Sequence, residues 1–151
     1  MTDQTNQEML IDASPTECFA VAIDFAGYPD WASDVKEATV VTHDDDGRGG
    51  TVSYRAAAMG RSLTYTLRYF YGTNPLRFSW NLLESDLLRE LDGEYEFIPV
   101  DDSTEKTKVT YHLRVELAMP LPGFVKRRAE ARIIRTALDD LRRRVEAAVT
   151  S

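Results

Sequence analysis

From Val35 to Met119 the chain alternates apolar and polar residues with a period of two, in consecutive segments separated by short turns. Tight turns join antiparallel neighbours, whereas parallel strands need long crossovers, so this pattern dictates an antiparallel meander with one covered face. The segments are Val35–His43, Thr51–Ala58, Arg61–Tyr71, the run around Phe78, Trp80 and Leu82, Leu87–Ile98, and Lys108–Met119. The third shows the alternation most clearly: Leu63, Tyr65, Leu67 and Tyr69 share one face, while Ser62, Thr64, Thr66 and Arg68 share the other. The turns between them are Asp44–Gly50, Met59-Gly60, Gly72–Pro75 and the polar loop Asp101–Lys106, each rich in turn-forming residues.

Helices flank this block. Glu8–Asp12 reads as a first short strand, and Ser14-Pro15-Thr16-Glu17 then forms a capping box with Pro at the first helical position. Cys18, Phe19, Ala22, Ile23 and Phe25 give that helix a buried side, Gly27 ends it, and Pro29–Ser33 is a second short helix. After the breaker Pro120-Leu121-Pro122-Gly123, one helix is expected over about Phe124–Val149, with an apolar stripe of Ile134, Leu138, Leu141, Val145 and Ala148 flanked by Ile133 and Ala137. At 1.5 Å per residue it is nearly 40 Å long, the only element large enough to cover the sheet. The fold class is therefore α+β, a single domain over 1–151 with about seven strands and a long C-terminal helix. A chain of this length buries about two thirds of its unfolded surface and needs no disulfide or metal to fold.

Charge and cysteine content narrow the setting. Net charge is −7, which argues against nucleic acid as partner. From Pro120 onward, eight Lys and Arg stand against four acids, so the last helix is basic on an acidic body. Peripheral contact with an anionic membrane stays open on that ground, although interleaved acids suit a solvated helix face. The longest uncharged run, Leu117–Val125, is about nine residues against the roughly twenty of a membrane span. The N-terminus has neither a basic start nor an apolar stretch, so no signal peptide is expected. Cys18 is the sole cysteine, which suits a reducing cytoplasm.

Chemistry-bearing motifs are few. His43 and His112 show no metal-ligand spacing with Cys18, so neither metal nor cofactor is expected. Asp44-Asp45-Asp46-Gly47 resembles a calcium loop faintly, but the register puts Ser53 where the bidentate Glu belongs. Gly47-Arg48-Gly49-Gly50 leads into a strand rather than a helix, unlike a phosphate loop, and no Gly-x-Ser-x-Gly elbow is present. His112 falls on the outward face of its strand, where solvent exposure is expected. Cys18 sits on an apolar helix face, as a buried small hydrophobe does.

The covered face carries Tyr54, Tyr65, Tyr69, Phe78, Trp80, Tyr95, Phe97 and Tyr111. A filled core favours Leu, Ile and Val, and a buried phenol or indole N–H needs a partner. So many amphipathic rings suit either a semi-polar cavity or rings packed on the helix with hydroxyls at the rim. On the helix, stepping back from Ile134 reaches Ala131, Arg127 and Phe124, and the flanking line reaches Glu130 and Lys126. Arg127 or Glu130 is thereby placed either to meet a ligand's polar group at a cavity mouth or, as is commoner for such residues, to snorkel to solvent.

Several marks stand in a characteristic order: Ile11-Asp12-Ala13-Ser14-Pro15-Thr16-Glu17-Cys18-Phe19, then Tyr28-Pro29-Asp30-Trp31 with Val35-Lys36-Glu37-Ala38. Leu91-Asp92-Gly93-Glu94-Tyr95-Glu96-Phe97, Thr107-Lys108-Val109-Thr110-Tyr111 and the Pro-Gly turn into the final helix follow. In this order the chain resembles the START-like (SRPBCC) superfamily, nearest its bacterial polyketide cyclase/dehydrase and lipid-transport-like branch. The resemblance implies a helix-grip fold with a cavity between curved sheet and long helix. Lining residues on that basis are Trp31, Tyr54, Tyr65, Leu67, Tyr69, Phe78, Trp80, Leu91, Tyr95, Tyr111, Phe124, Arg127 and Ile133. The expected function is binding or carriage of a hydrophobic or amphipathic small molecule such as a lipid, quinone or polyketide. Two alternatives stay open: an aromatase/cyclase- or dehydratase-type enzyme using the same cavity, and a protein-interaction module using the outer sheet face or basic helix. No family catalytic set maps onto these residues, so whether the chain is an enzyme is open, as is monomer against homodimer.

Overall fold

The computed structural model describes residues 5–58, 61–102, 105–118 and 121–150. The expected turn Met59-Gly60 and the strand end at Met119 lie outside them. Strand β1 (Thr5–Ile11) is followed by helix α1 (Pro15–Ala22), a 3-10 turn (Phe25–Gly27) and helix α2 (Tyr28–Trp31). Strands β2 (Val35–His43), β3 (Gly49–Ala58), β4 (Arg61–Thr73), β5 (Leu76–Ser85), β6 (Leu88–Pro99) and β7 (Thr107–Leu117) come next, then helix α3 (Gly123–Thr150).

All seven strands form one antiparallel sheet in the order β1-β7-β6-β5-β4-β3-β2. The meander from β2 to β7 thus ends beside β1, whose Met9 pairs with Val109 of β7. Pairing slips between Thr66 and Leu67 on β4 and between Leu88 and Glu90 on β6. Such bulges bend strands, and they fall toward the end of the sheet that α3 enters.

Local chemistry accounts for the helix starts and stops. Ser14 Oγ accepts from the Glu17 backbone N–H at 3.1 Å, and Glu17 Oε1 accepts from the Ser14 N–H at 3.0 Å, completing the capping box. α1 ends at Ala22, earlier than Gly27: Asp24 leaves helical geometry at ψ 71°, and Phe25 turns inward to stack on Tyr69 at 4.2 Å between ring centroids. α2 likewise stops at Trp31, where Ala32 is already extended. In the β2–β3 turn, Asp44 accepts from the backbone N–H of Asp46 and Arg48 and from Arg48 Nε at 3.0 Å, with Gly47 at φ 82°. The acidic run is therefore a self-bonded hairpin turn.

α3 lies across the concave face. Ile134, Leu138, Leu141 and Val145 are buried in the core, whereas Ala148, expected on the same stripe, is exposed. Gln7 Nε2 donates to the Ala131 carbonyl at 3.1 Å and the Asp12 N–H donates to Glu146 at 3.0 Å, tying the helix to β1. Around α1 the interior is solid: Phe19 packs edge-on against Phe97 and Phe78 at 5.7 and 6.1 Å. Among the described residues, no helix is long and apolar enough to cross a membrane.

Candidate functional site

Beyond that solid end, sheet and helix part to leave a cavity of about 720 Å³. This is within the usual range for a small-molecule site. Its sheet wall is made by Tyr54, Tyr65, Leu67, Tyr69, Phe78, Trp80, Leu91, Tyr95 and Tyr111; Trp31 and Ile133 close it from α2 and α3. Those expected residues are thus brought together. Phe124 and Arg127 are not: neither lines the cavity, Phe124 is 63% exposed, and Arg127 is exposed as well.

The reason is a rotation. The helix residues that face the cavity are Lys126, Ala129, Glu130, Ile133, Thr136, Ala137 and Asp140. At 100° per residue this face is turned roughly 120° from the line through Ile134, Leu138 and Val145, on which Arg127 also falls. Carrying the core stripe back along the helix therefore leads out of the site.

Gly93 sets the shape of the sheet wall. A Cβ there would meet Trp80 Cζ2 at 2.2 Å, so only glycine lets the indole lie down on β6. Trp80 then contacts Tyr95 and Tyr111 at centroid distances of 5.7 and 5.6 Å.

The polar groups of the cavity fall into two sets. The first is bonded within the protein. Tyr54 and Tyr69 share a hydroxyl–hydroxyl bond of 2.6 Å, and Tyr28 donates to the Ala22 carbonyl. Asp140, almost fully buried, accepts from Ser33 N and Oγ at 2.9 and 2.8 Å and from Arg143 at 3.2 Å. Glu130, 1% exposed, accepts from the Val115 N–H at 3.0 Å, and Lys126 pairs with Glu116 at 2.9 Å. Ser33 and Asp140 are 107 residues apart, and nothing in local pattern announces them.

The second set is the hydroxyls of Tyr65, Tyr95 and Tyr111, which make no hydrogen bond to any described residue. They are not sealed in either, since Glu90 holds the one buried unpartnered side-chain oxygen found among the described residues. These phenols open onto the cavity. Burial raises the pKa of each, and Asp34 adds to the rise at Tyr65. At neutral pH they are protonated donors, unsuited to act as bases.

The family model described as polyketide cyclase/dehydrase and lipid transport matches residues 3–146, and the chain belongs to that family. Solved structures agree on the fold. A START superfamily protein from Mycobacterium smegmatis superposes with a TM-score of 0.89 at 20% identity, over 96% of this chain and 98% of that one. The Zhui aromatase/cyclase from Streptomyces sp. R1128 gives 0.85 at 14% identity, over 99% and 96%. A protein from Thermus thermophilus gives 0.78 at 24%, over 97% and 99%. No curated protein matches the sequence significantly. The fold they share is the START-like helix-grip fold, an open antiparallel sheet with a long C-terminal helix.

Proposed function

We propose that this chain binds an amphipathic small molecule of lipid, quinone or polyketide type in the cavity between sheet and α3. The observation that carries the reading is the set of phenol hydroxyls of Tyr65, Tyr95 and Tyr111, unpartnered among the described residues on a sheet wall of aromatic and aliphatic side chains. A buried donor without a partner costs stability, so such a set is retained where a ligand oxygen or water satisfies it. Apolar burial, at about 25 cal/mol per Å², supplies the affinity before association costs are subtracted. The hydroxyls and the Trp80 indole supply orientation. The buried lone Cys18 suits work in a reducing compartment, the cytoplasm.

A cyclase- or dehydratase-type reaction is the second reading. Glu130 favours it, because a buried carboxylate faces the same volume as the phenol donors, as acid–base chemistry on a polyketide requires. Native mass spectrometry of freshly purified protein, followed by denaturing extraction, tests the first reading. A co-purifying apolar mass that Trp80→Ala loses supports it. Empty protein that also fails to take up added quinones or fatty acids contradicts it. Chemical change of a bound polyketide, abolished by Glu130→Gln, would move the assignment to the enzyme.

A further inference from the structure

On the convex side of the sheet, opposite the cavity, β6 turns Glu94 and Glu96 outward on either side of Tyr95. Strand register places His112 of β7 directly across from Glu94, and Asn6 of β1 directly across from His112. The ligand-competent atoms of Glu94, Glu96 and His112 all lie within 4.8 Å of one another, and all three residues are half-buried. The outward strand position alone predicts a solvent-exposed His112; pairing with strands on both sides partly covers it.

The imidazole is held from both ends. Its Nδ1 lies 2.6 Å from Asn6 Oδ1, and its Nε2 lies 3.3 Å from Glu96 Oε1. An acceptor at Nδ1 puts the ring proton there and turns the Nε2 lone pair toward a carboxylate that has only lone pairs to offer. Two lone pairs facing each other need a cation between them, either a second proton or a metal ion. The 3.3 Å between His112 Nε2 and Glu96 Oε1 suits a metal: bonds of about 2.0–2.1 Å in tetrahedral array put neighbouring ligand atoms about 3.3–3.4 Å apart. A hydrogen bond from Nδ1 to an amide oxygen is the outer contact that orients a metal-bound imidazole. The Glu94 carboxylate has no ion pair or hydrogen bond among the described residues, so a second anionic ligand stands ready. Arg77, across from Glu96 on β5, sends its guanidinium to the Pro75 carbonyl instead.

We propose that Glu94, Glu96 and His112 bind a divalent transition-metal ion of the zinc class, with Asn6 as a positioning residue. Imidazole selects Zn²⁺ and its neighbours over Mg²⁺ and Ca²⁺, which prefer all-oxygen sets. Three protein ligands leave the remaining coordination to solvent. Tyr95 and Tyr111 are cross-strand partners on the opposite face of the same strand pair, so a bound ion clamps the strands beneath two cavity hydroxyls. The site is independent of what the cavity holds.

Isothermal titration of tag-free, chelator-treated protein with ZnCl₂, CoCl₂ and MgCl₂ tests the site. The expected result is one Zn²⁺ per chain at micromolar affinity, weaker Co²⁺, no Mg²⁺ and a raised melting temperature with Zn²⁺. His112→Ala and the near-isosteric Glu94→Gln should each weaken Zn²⁺ binding at least tenfold, and Asn6→Ala about tenfold, with circular dichroism unchanged. Absence of Zn²⁺ binding at millimolar metal would overturn the proposal and leave a proton as the bridge between His112 and Glu96. So would binding at full strength in a folded His112→Ala protein, which would place the ion elsewhere.

Discussion

The same strands and the same helix build two unlike halves of one interior. At the α1 end, Phe19, Phe25 and Phe97 join Ile134, Leu138, Leu141 and Val145 in one packed cluster, with Phe78 at its boundary with the cavity. At the other end the rings are Tyr65, Trp80, Tyr95 and Tyr111, and the facing helix offers Glu130, Ala129, Ile133 and Thr136, leaving a cavity. Both halves read as covered strand faces. They differ in whether each ring carries a polar atom and whether the helix opposite it is large and apolar. A phenylalanine opposite leucine closes a core; a tyrosine opposite alanine, threonine or glutamate leaves room and a hydrogen bond to give.

This division can be broken from the closed end first. Leu138→Ala should cost about 2–5 kcal/mol in urea unfolding, as a filled core losing a large side chain does, while affinity per folded molecule is kept. Gly93→Ala attacks the open end. Its methyl group would displace the Trp80 ring, costing about 1–3 kcal/mol, the usual range for overpacking, and shifting tryptophan fluorescence. Tyr54→Phe removes the 2.6 Å bond to Tyr69 and should cost about 1 kcal/mol, since that hydroxyl serves the fold.

A further effect concerns pH. Burial pushes the Cys18 thiol up from 9.0 to about 11. The neutral thiol is the form that folding favours, so its contribution is complete below pH 9 and fades as pH rises toward 11. The stability gap between wild type and Cys18→Ala should narrow over that interval and stay constant below it, as unfolding curves at successive pH values would show.

How much of this could be read from residues alone follows from the range of each interaction. The capping box at Ser14 and Glu17, the strand faces and the long helix depend on neighbours within a turn or along a strand, and pattern exposes them. The Leu63, Tyr65, Leu67, Tyr69 face reads directly as wall. The rotation of α3 does not, because it depends on which side of the helix β1 and β7 occupy; hence the helical pattern assigns Phe124 and Arg127 to a cavity that they do not line. The same limit hides Asp140 on Ser33 and His112 beside Glu94 and Glu96, pairs that only tertiary contact or strand register brings together. That Tyr65, Tyr95 and Tyr111 lack partners among the described residues while Tyr54 and Tyr69 have each other is likewise set by packing, not by residue type.

The most direct measurement compares stability with ligand affinity in Tyr111→Phe and Tyr95→Phe. Each variant would be unfolded in urea and titrated with 1-anilinonaphthalene-8-sulfonate, an amphipathic aromatic probe, alongside wild type. If the hydroxyls serve a ligand, stability holds within about 0.5 kcal/mol, because no hydrogen bond to any described residue is lost, and probe affinity falls several-fold. Stability that drops by about 1 kcal/mol or more with probe affinity unchanged would make these tyrosines ordinary parts of the core. That result would contradict the account.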